Sequence, residues 1–187
     1  MTYGFIKAKE TVYAGKHFRS RIEARWAVVF TTLAVTWRYE PQHYDFGRKR
    51  PWLDDEYEFR EYVQEALYEN TYDDRSDVIR GAYQDRYERH MYLPDFYLPE
   101  FQHWVEIKGK TPTYDERSKA THLTWQTKQP ITIIWGNIPG PNDKWGEATD
   151  IINGEMNIIA LFAIECGVKA VEKAFTTARQ FRFMEHP

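Results

Sequence analysis

Two short runs rich in aromatic and β-branched residues, Tyr92 to Leu98 and His103 to Lys108, stand either side of Pro99-Glu100-Phe101-Gln102. They predict a β-hairpin with a four-residue loop. If the loop is symmetric, Leu98 faces His103, and counting on along both strands sets Asp95 opposite Glu106. Side chains alternate across a strand, so Trp104, Glu106 and Lys108 share one face while Val105 and Ile107 take the other. Two carboxylates are then expected to face each other across roughly 5 Å. Like charges directly opposite destabilise a hairpin. Lys108 offsets only one of them, and a hard divalent cation is the simplest further compensation.

The rest of the chain places this hairpin in an α/β framework. Ile22, Trp26, Val29 and Leu33 recur at helical spacing, and Ser20 with Glu23 reads as a capping box, predicting a helix from Ser20 to about Leu33. Thr36 to Phe46 alternates roughly and predicts a strand, edge-like or irregular at Pro41 and closed by Gly47. Arg48 to His90 is dense in Asp, Glu, Arg and Tyr and reads as an inserted helical excursion. It is either a solvated helical pair or a lid or partner-binding element near the mouth of the site. After the hairpin, Thr113 and Glu116 give a second capping box opening a helix to about Gln129, which Pro130 ends. Ile131 to Trp135 predicts a buried central strand, and Gly136 to Gly146 a loop. A last strand, Asn157 to Glu165, and a helix, Lys169 to about Arg182, complete a mixed sheet flanked by helices.

The expected constellation suits phosphodiester hydrolysis. Asp95 and Glu106, with the backbone carbonyl of Ile107, supply oxygen ligands of the kind magnesium takes, with manganese able to substitute. Lys108 points at the same place, where its ammonium can orient a water or offset charge on phosphorus. The alternative is a turn residue, Asp95, and a solvated Glu106–Lys108 pair. Leu93-Pro94-Asp95 followed by Glu106-Ile107-Lys108 resembles the PD-(D/E)XK nuclease superfamily, whose motif Pro94, Asp95, Glu106 and Lys108 match literally. The resemblance spans roughly Ser20 to Trp135 and implies a restriction-endonuclease-like core and a magnesium-dependent nuclease. Phe18 to Trp26 and Lys173 to Phe183 are further similar to small phage-type members.

The resemblance also puts Glu23 where many members carry another acidic residue of the first helix, although Glu23 reads equally well as a helix cap. Gln126, Lys119 and His122 fall on the helix that flanks the active site in the family. They are otherwise ordinary exposed helix residues. Lys16, Arg19, Arg21 and Arg25, with Lys110, Arg117 and Lys119, gather positive charge beside the carboxylates for substrate binding. Arg21 and Arg25 share a helix face, which is alternatively a solvated one.

Composition sets outer limits. At 187 residues and 42% hydrophobic content, residues 1–187 read as one domain, with 48–90 inserted. A net charge of −3 argues against a basic coating, so a polyanion must be held by a local patch or by metal ions. The lone Cys166 suggests a reducing, cytoplasmic setting. Met1 to Glu10 lacks a signal-peptide core, and the apolar run Ile158 to Ile164 is too short to span a bilayer. No Gly-x-Ser-x-Gly elbow and no P-loop occur. The expected partner is nucleic acid, DNA ahead of RNA, with a homodimer or protein partner engaged through residues 48–90. A non-catalytic nucleic-acid or protein-binding module of the same fold is the competing reading.

Overall fold

A computed structural model describes residues 9–48, 54–69, 75–141, 143–145 and 148–183. Parts of the inserted stretch (49–53 and 70–74) and Asn142 and Gly146 of the expected loop lie outside them. The elements in chain order are β1 (Thr11–Tyr13), β2 (Lys16–Phe18), α1 (Arg21–Thr32), β3 (Arg38–Tyr39), β4 (Tyr44–Arg48), α2 (Glu56–Glu69), α3 (Arg75–Tyr87), β5 (Arg89–Tyr92), β6 (Phe96–Leu98), β7 (His103–Lys108), α4 (Tyr114–Thr127), β8 (Ile131–Trp135), β9 (Thr149–Ile152), α5 (Ile158–Glu165) and α6 (Val168–Gln180). They form two compact units, one of residues 1–42 with 94–187 and one of residues 43–93. Among the described residues no helix is long and apolar enough to cross a membrane.

The larger unit is an α/β structure built on a mixed sheet in the order β3-β6-β7-β8-β9. β6 and β7 are antiparallel with Leu98 opposite His103 and Phe96 opposite Val105, the register expected from the loop. β7 and β8 run parallel, joined by the crossover helix α4. Phe96, Leu98, Val105, Ile107 and Ile134 belong to one core with Trp26, Phe30, Phe162 and Phe175 of α1, α5 and α6. Each such fully buried side chain contributes about 1.5–3 kcal/mol. α4 closes the opposite face, where Arg117 pairs with Asp150 of β9 at 2.6 Å. Its start carries the predicted capping box of Thr113 and Glu116.

The smaller unit contains the helices α2 and α3 and the two-stranded sheet β4–β5. Phe59 and Ala82 form one buried cluster in it, with the Phe59 and Tyr83 rings edge-on at 4.8 Å.

Three expectations are corrected. Thr36 to Phe46 is not one strand: it divides into β3 and β4, which belong to different sheets, and Gly47 lies within β4 rather than after it. Tyr92 to Leu98 is likewise broken at Leu93-Pro94-Asp95, because Pro94 has no N–H for the ladder. Asn157 to Glu165 is a helix, α5, with Asn157 as its cap accepting from the Ala160 N–H at 2.8 Å. The final sheet strand is instead β9, antiparallel to β8.

Candidate active site

The site forms where the β6–β7 ladder stops. In β7 the Trp104 N–H donates to the Pro130 carbonyl and the Lys108 carbonyl accepts from the Gly136 N–H. Even-numbered residues of β7 therefore turn their amides toward β8, and odd-numbered ones turn theirs toward β6. Extending the register past Phe96 and Val105 sets Pro94 opposite Ile107. Proline has no N–H to give to the Ile107 carbonyl, so no ladder donor stands there. The Ile107 N–H donates instead to Asp95 Oδ2 at 2.7 Å. Asp95 returns a backbone bond, its N–H donating to Glu106 Oε2 at 3.2 Å.

Asp95 and Glu106 are 2% and 3% exposed. Lys108 Nζ lies 2.8 Å from Glu106 Oε1 and 3.2 Å from Glu116 Oε1. The structure thus brings Asp95, Glu106 and Lys108 together as the hairpin count requires. Burial lowers the affinity of the Lys108 amine for its proton, but Glu106, Asp95 and Glu116 more than reverse this and hold it firmly protonated. Burial, then the charges of Glu106 and Glu23, push the Asp95 carboxyl well above the usual carboxylate range.

Arg19 meets this charge directly. Its Nη2 donates to Asp95 Oδ1 at 2.5 Å and its Nε lies 2.6 Å from Glu40 Oε1. Glu23, 7% exposed, accepts from Ser20 Oγ at 2.6 Å and from the Tyr39 hydroxyl at 2.5 Å. Ser20 Oγ also accepts the Glu23 N–H, so Glu23 sits in the capped first turn of α1 while its carboxylate contacts Tyr39. Five carboxyl groups (Glu23, Glu40, Asp95, Glu106 and Glu116) are then joined, by contact or through Tyr39, to two cations, Arg19 and Lys108.

The other expected residues lie apart from this cluster or in pairs of their own. Lys110 and Gln126 are exposed, Lys119 pairs with Asp115 at 2.9 Å, and the His122 ring bonds the Ser118 carbonyl at 2.8 Å. Lys16 is exposed on β2. Arg25 donates to the Ala178 and Arg179 carbonyls of α6, the latter at 2.7 Å. Arg21 and Arg25 together line a cleft on another side of α1. Sequence reasoning missed Tyr39 and Glu40, which stand in a run with no motif, and it read Glu116 only as a helix cap.

Among the described residues no group of three or more His, Cys, Asp or Glu side chains is arranged to hold a metal. The donor set expected from the sequence is a different one, two carboxylates and the Ile107 carbonyl, of the kind required by magnesium, which keeps several waters and takes only one or two protein carboxylates. Each carboxylate oxygen has two lone pairs, so Asp95 retains acceptor capacity beside Arg19 and Ile107. No protein-family model matches the chain, and neither a curated protein nor a solved structure matches it.

Proposed function

We propose that this chain is a magnesium-dependent nuclease of the PD-(D/E)XK type, with a restriction-endonuclease-like core, that hydrolyses phosphodiester bonds in nucleic acid. DNA is the first substrate to test, with RNA the alternative. The observation that carries this reading is the convergence of Asp95, Glu106 and Lys108 at a point where Pro94 ends the ladder opposite the Ile107 carbonyl. The excess of carboxyl groups over cations favours uptake of a divalent ion at that point.

Asp95, Glu106 and the Ile107 carbonyl would hold the ion, which supplies Lewis acidity toward a phosphate oxygen and a more acidic water. Lys108, kept protonated by its three carboxylate neighbours, is suited to electrostatic stabilisation of the charge on phosphorus and not to general-base work. Glu116 holds the Lys108 ammonium from the α4 side. Arg19 and Glu23 set the charge balance around Asp95. The setting proposed is cytoplasmic, with residues 48–90 available to a protein partner or a second copy of the chain.

One observation favours a binding module instead: Arg19 already satisfies one Asp95 oxygen. The two readings separate in a cleavage assay with single-stranded, double-stranded, branched and RNA substrates, in magnesium and in manganese. Cleavage that disappears with EDTA and with Glu106→Gln supports the nuclease. A wild-type chain inert on every substrate with both metals defeats it.

A further inference from the structure

On a side of α1 away from its acidic contacts lies a half-open cleft of 630 Å³, walled by the β1–β2 hairpin, α1 and the segment after α6. Lys9, Arg21, Arg25 and Arg182 line it, against a single carboxylate, Glu10. In a chain of net charge −3 this is a local reversal of sign. Arg25 is fixed by the α6 carbonyls and lies over the Phe183 ring at 5.9 Å. Arg21 and Arg182 are exposed. Two aromatic rings also line it, Phe181 and Phe183, 5.0 Å apart, and Phe181 is packed edge-on by Tyr13 at 5.2 Å.

We propose that this cleft binds a backbone phosphate of the nucleic-acid strand, at a distance from the bond that is cut. This rests on the nuclease reading above. A guanidinium presents a planar fork that fits phosphate oxygens, and aromatic rings in the wall offer a surface on which a base can stack. Arg21 and Arg25 of the cleft lie on the same helix, α1, as Glu23 of the acidic cluster. The substrate implied is a strand long enough to be gripped at two points.

The test uses the full chain and an Arg21→Gln, Arg182→Gln double variant, binding a labelled 20-nucleotide strand in EDTA, where nothing is cleaved. The double variant should bind about tenfold more weakly, with a salt dependence shallower by about one contact, and should melt at the wild-type temperature. Equal affinity and equal salt slope in the two proteins overturn the cleft assignment while leaving the nuclease reading untouched, since that reading stands on the Glu106→Gln cleavage assay. A mononucleotide or an acidic peptide binding the wild type as tightly as the strand does also overturns it. So does a wild type that binds no strand.

Discussion

Glu106 holds Lys108 with one oxygen and accepts the Asp95 N–H with the other, so it joins the charge of the site to its backbone. Glu106→Gln keeps an acceptor for that N–H and removes the charge. Cleavage should fall at least about 100-fold, as for loss of a charge-stabilising group, with folding retained. Kinetics with saturating magnesium and a thermal melt check both halves. Complete removal by Glu106→Ala is a poorer test than the facing carboxylates alone suggest, because it also strips Asp95 of an acceptor for a buried donor. Arg19 gives a second test. Arg19→Gln leaves Asp95 buried beside Glu106 and Glu23 without its nearest cation. Breaking a wholly buried pair costs ~3–5 kcal/mol, but Arg19 is 56% exposed, so a loss of about 1–2 kcal/mol is expected in urea melts. Magnesium should stabilise this variant more than the wild type, since an added cation then replaces a missing one. An Arg19→Gln protein as stable as the wild type would mean that the Arg19–Asp95 contact adds nothing to stability.

Between residue and molecule, β7, β8 and α5 are tied by one polar chain inside the apolar sheet. His103 of β7 contacts Thr132 Oγ1 of β8 at 2.8 Å, and that oxygen accepts the Ile158 N–H, at the start of α5, at 3.2 Å. Burial lowers the His103 pKa from 6.5 to about 4. Below pH 6.5 the unfolded chain takes up a proton that the folded chain refuses. Stability from this group is full above 6.5 and is lost as pH falls toward 4, on the order of 3 kcal/mol in total. Urea melts between pH 7 and pH 4 should follow this slope in the wild type and lose it in His103→Phe. The same region explains what could be read in advance. The hairpin register and the Thr113 cap were legible because both depend on local chemistry at fixed spacing. The helix α5 was not: Ile158 to Ile164 is apolar throughout, and such a run carries no period to separate strand from helix. Only Asn157, a good N-cap, pointed the other way. The β1–β2 hairpin also went unread, although Ala14-Gly15, both at positive φ, is a two-residue turn of the kind that closes one. Tyr39 and Glu40 were illegible for another reason: they reach the site through β3 pairing, a long-range contact that no local pattern announces.

At the scale of the molecule, the boundary between the two units falls at a place where the chain returns to itself. Tyr39 pairs with Phe96, and the Glu40 N–H donates to the Asp95 carbonyl at 2.8 Å, so the ends of the larger unit's two segments lie side by side. Every residue of the main core belongs to residues 1–42 or 94–187, as do Arg19, Glu23, Asp95, Glu106, Ile107, Lys108 and Glu116. The larger unit therefore has its own interior and its own candidate site. Replacing residues 43–93 by a four-residue Gly-Ser turn should leave a chain that melts cooperatively. A loop that short adds little closure entropy beyond what β3 and β6 already fix by pairing. If the carboxylates and the Ile107 carbonyl bind magnesium, the excised chain should be stabilised by it as the intact chain is, by about 2.7 kcal/mol at one hundred times the dissociation constant. Glu106→Gln should abolish that increment in both. Cleavage by the excised chain then assigns the remaining unit: retained activity makes residues 43–93 dispensable for chemistry, and lost activity with intact magnesium stabilisation makes them part of substrate binding. An excised chain that fails to melt cooperatively, with or without magnesium, would show that the larger core does not stand alone.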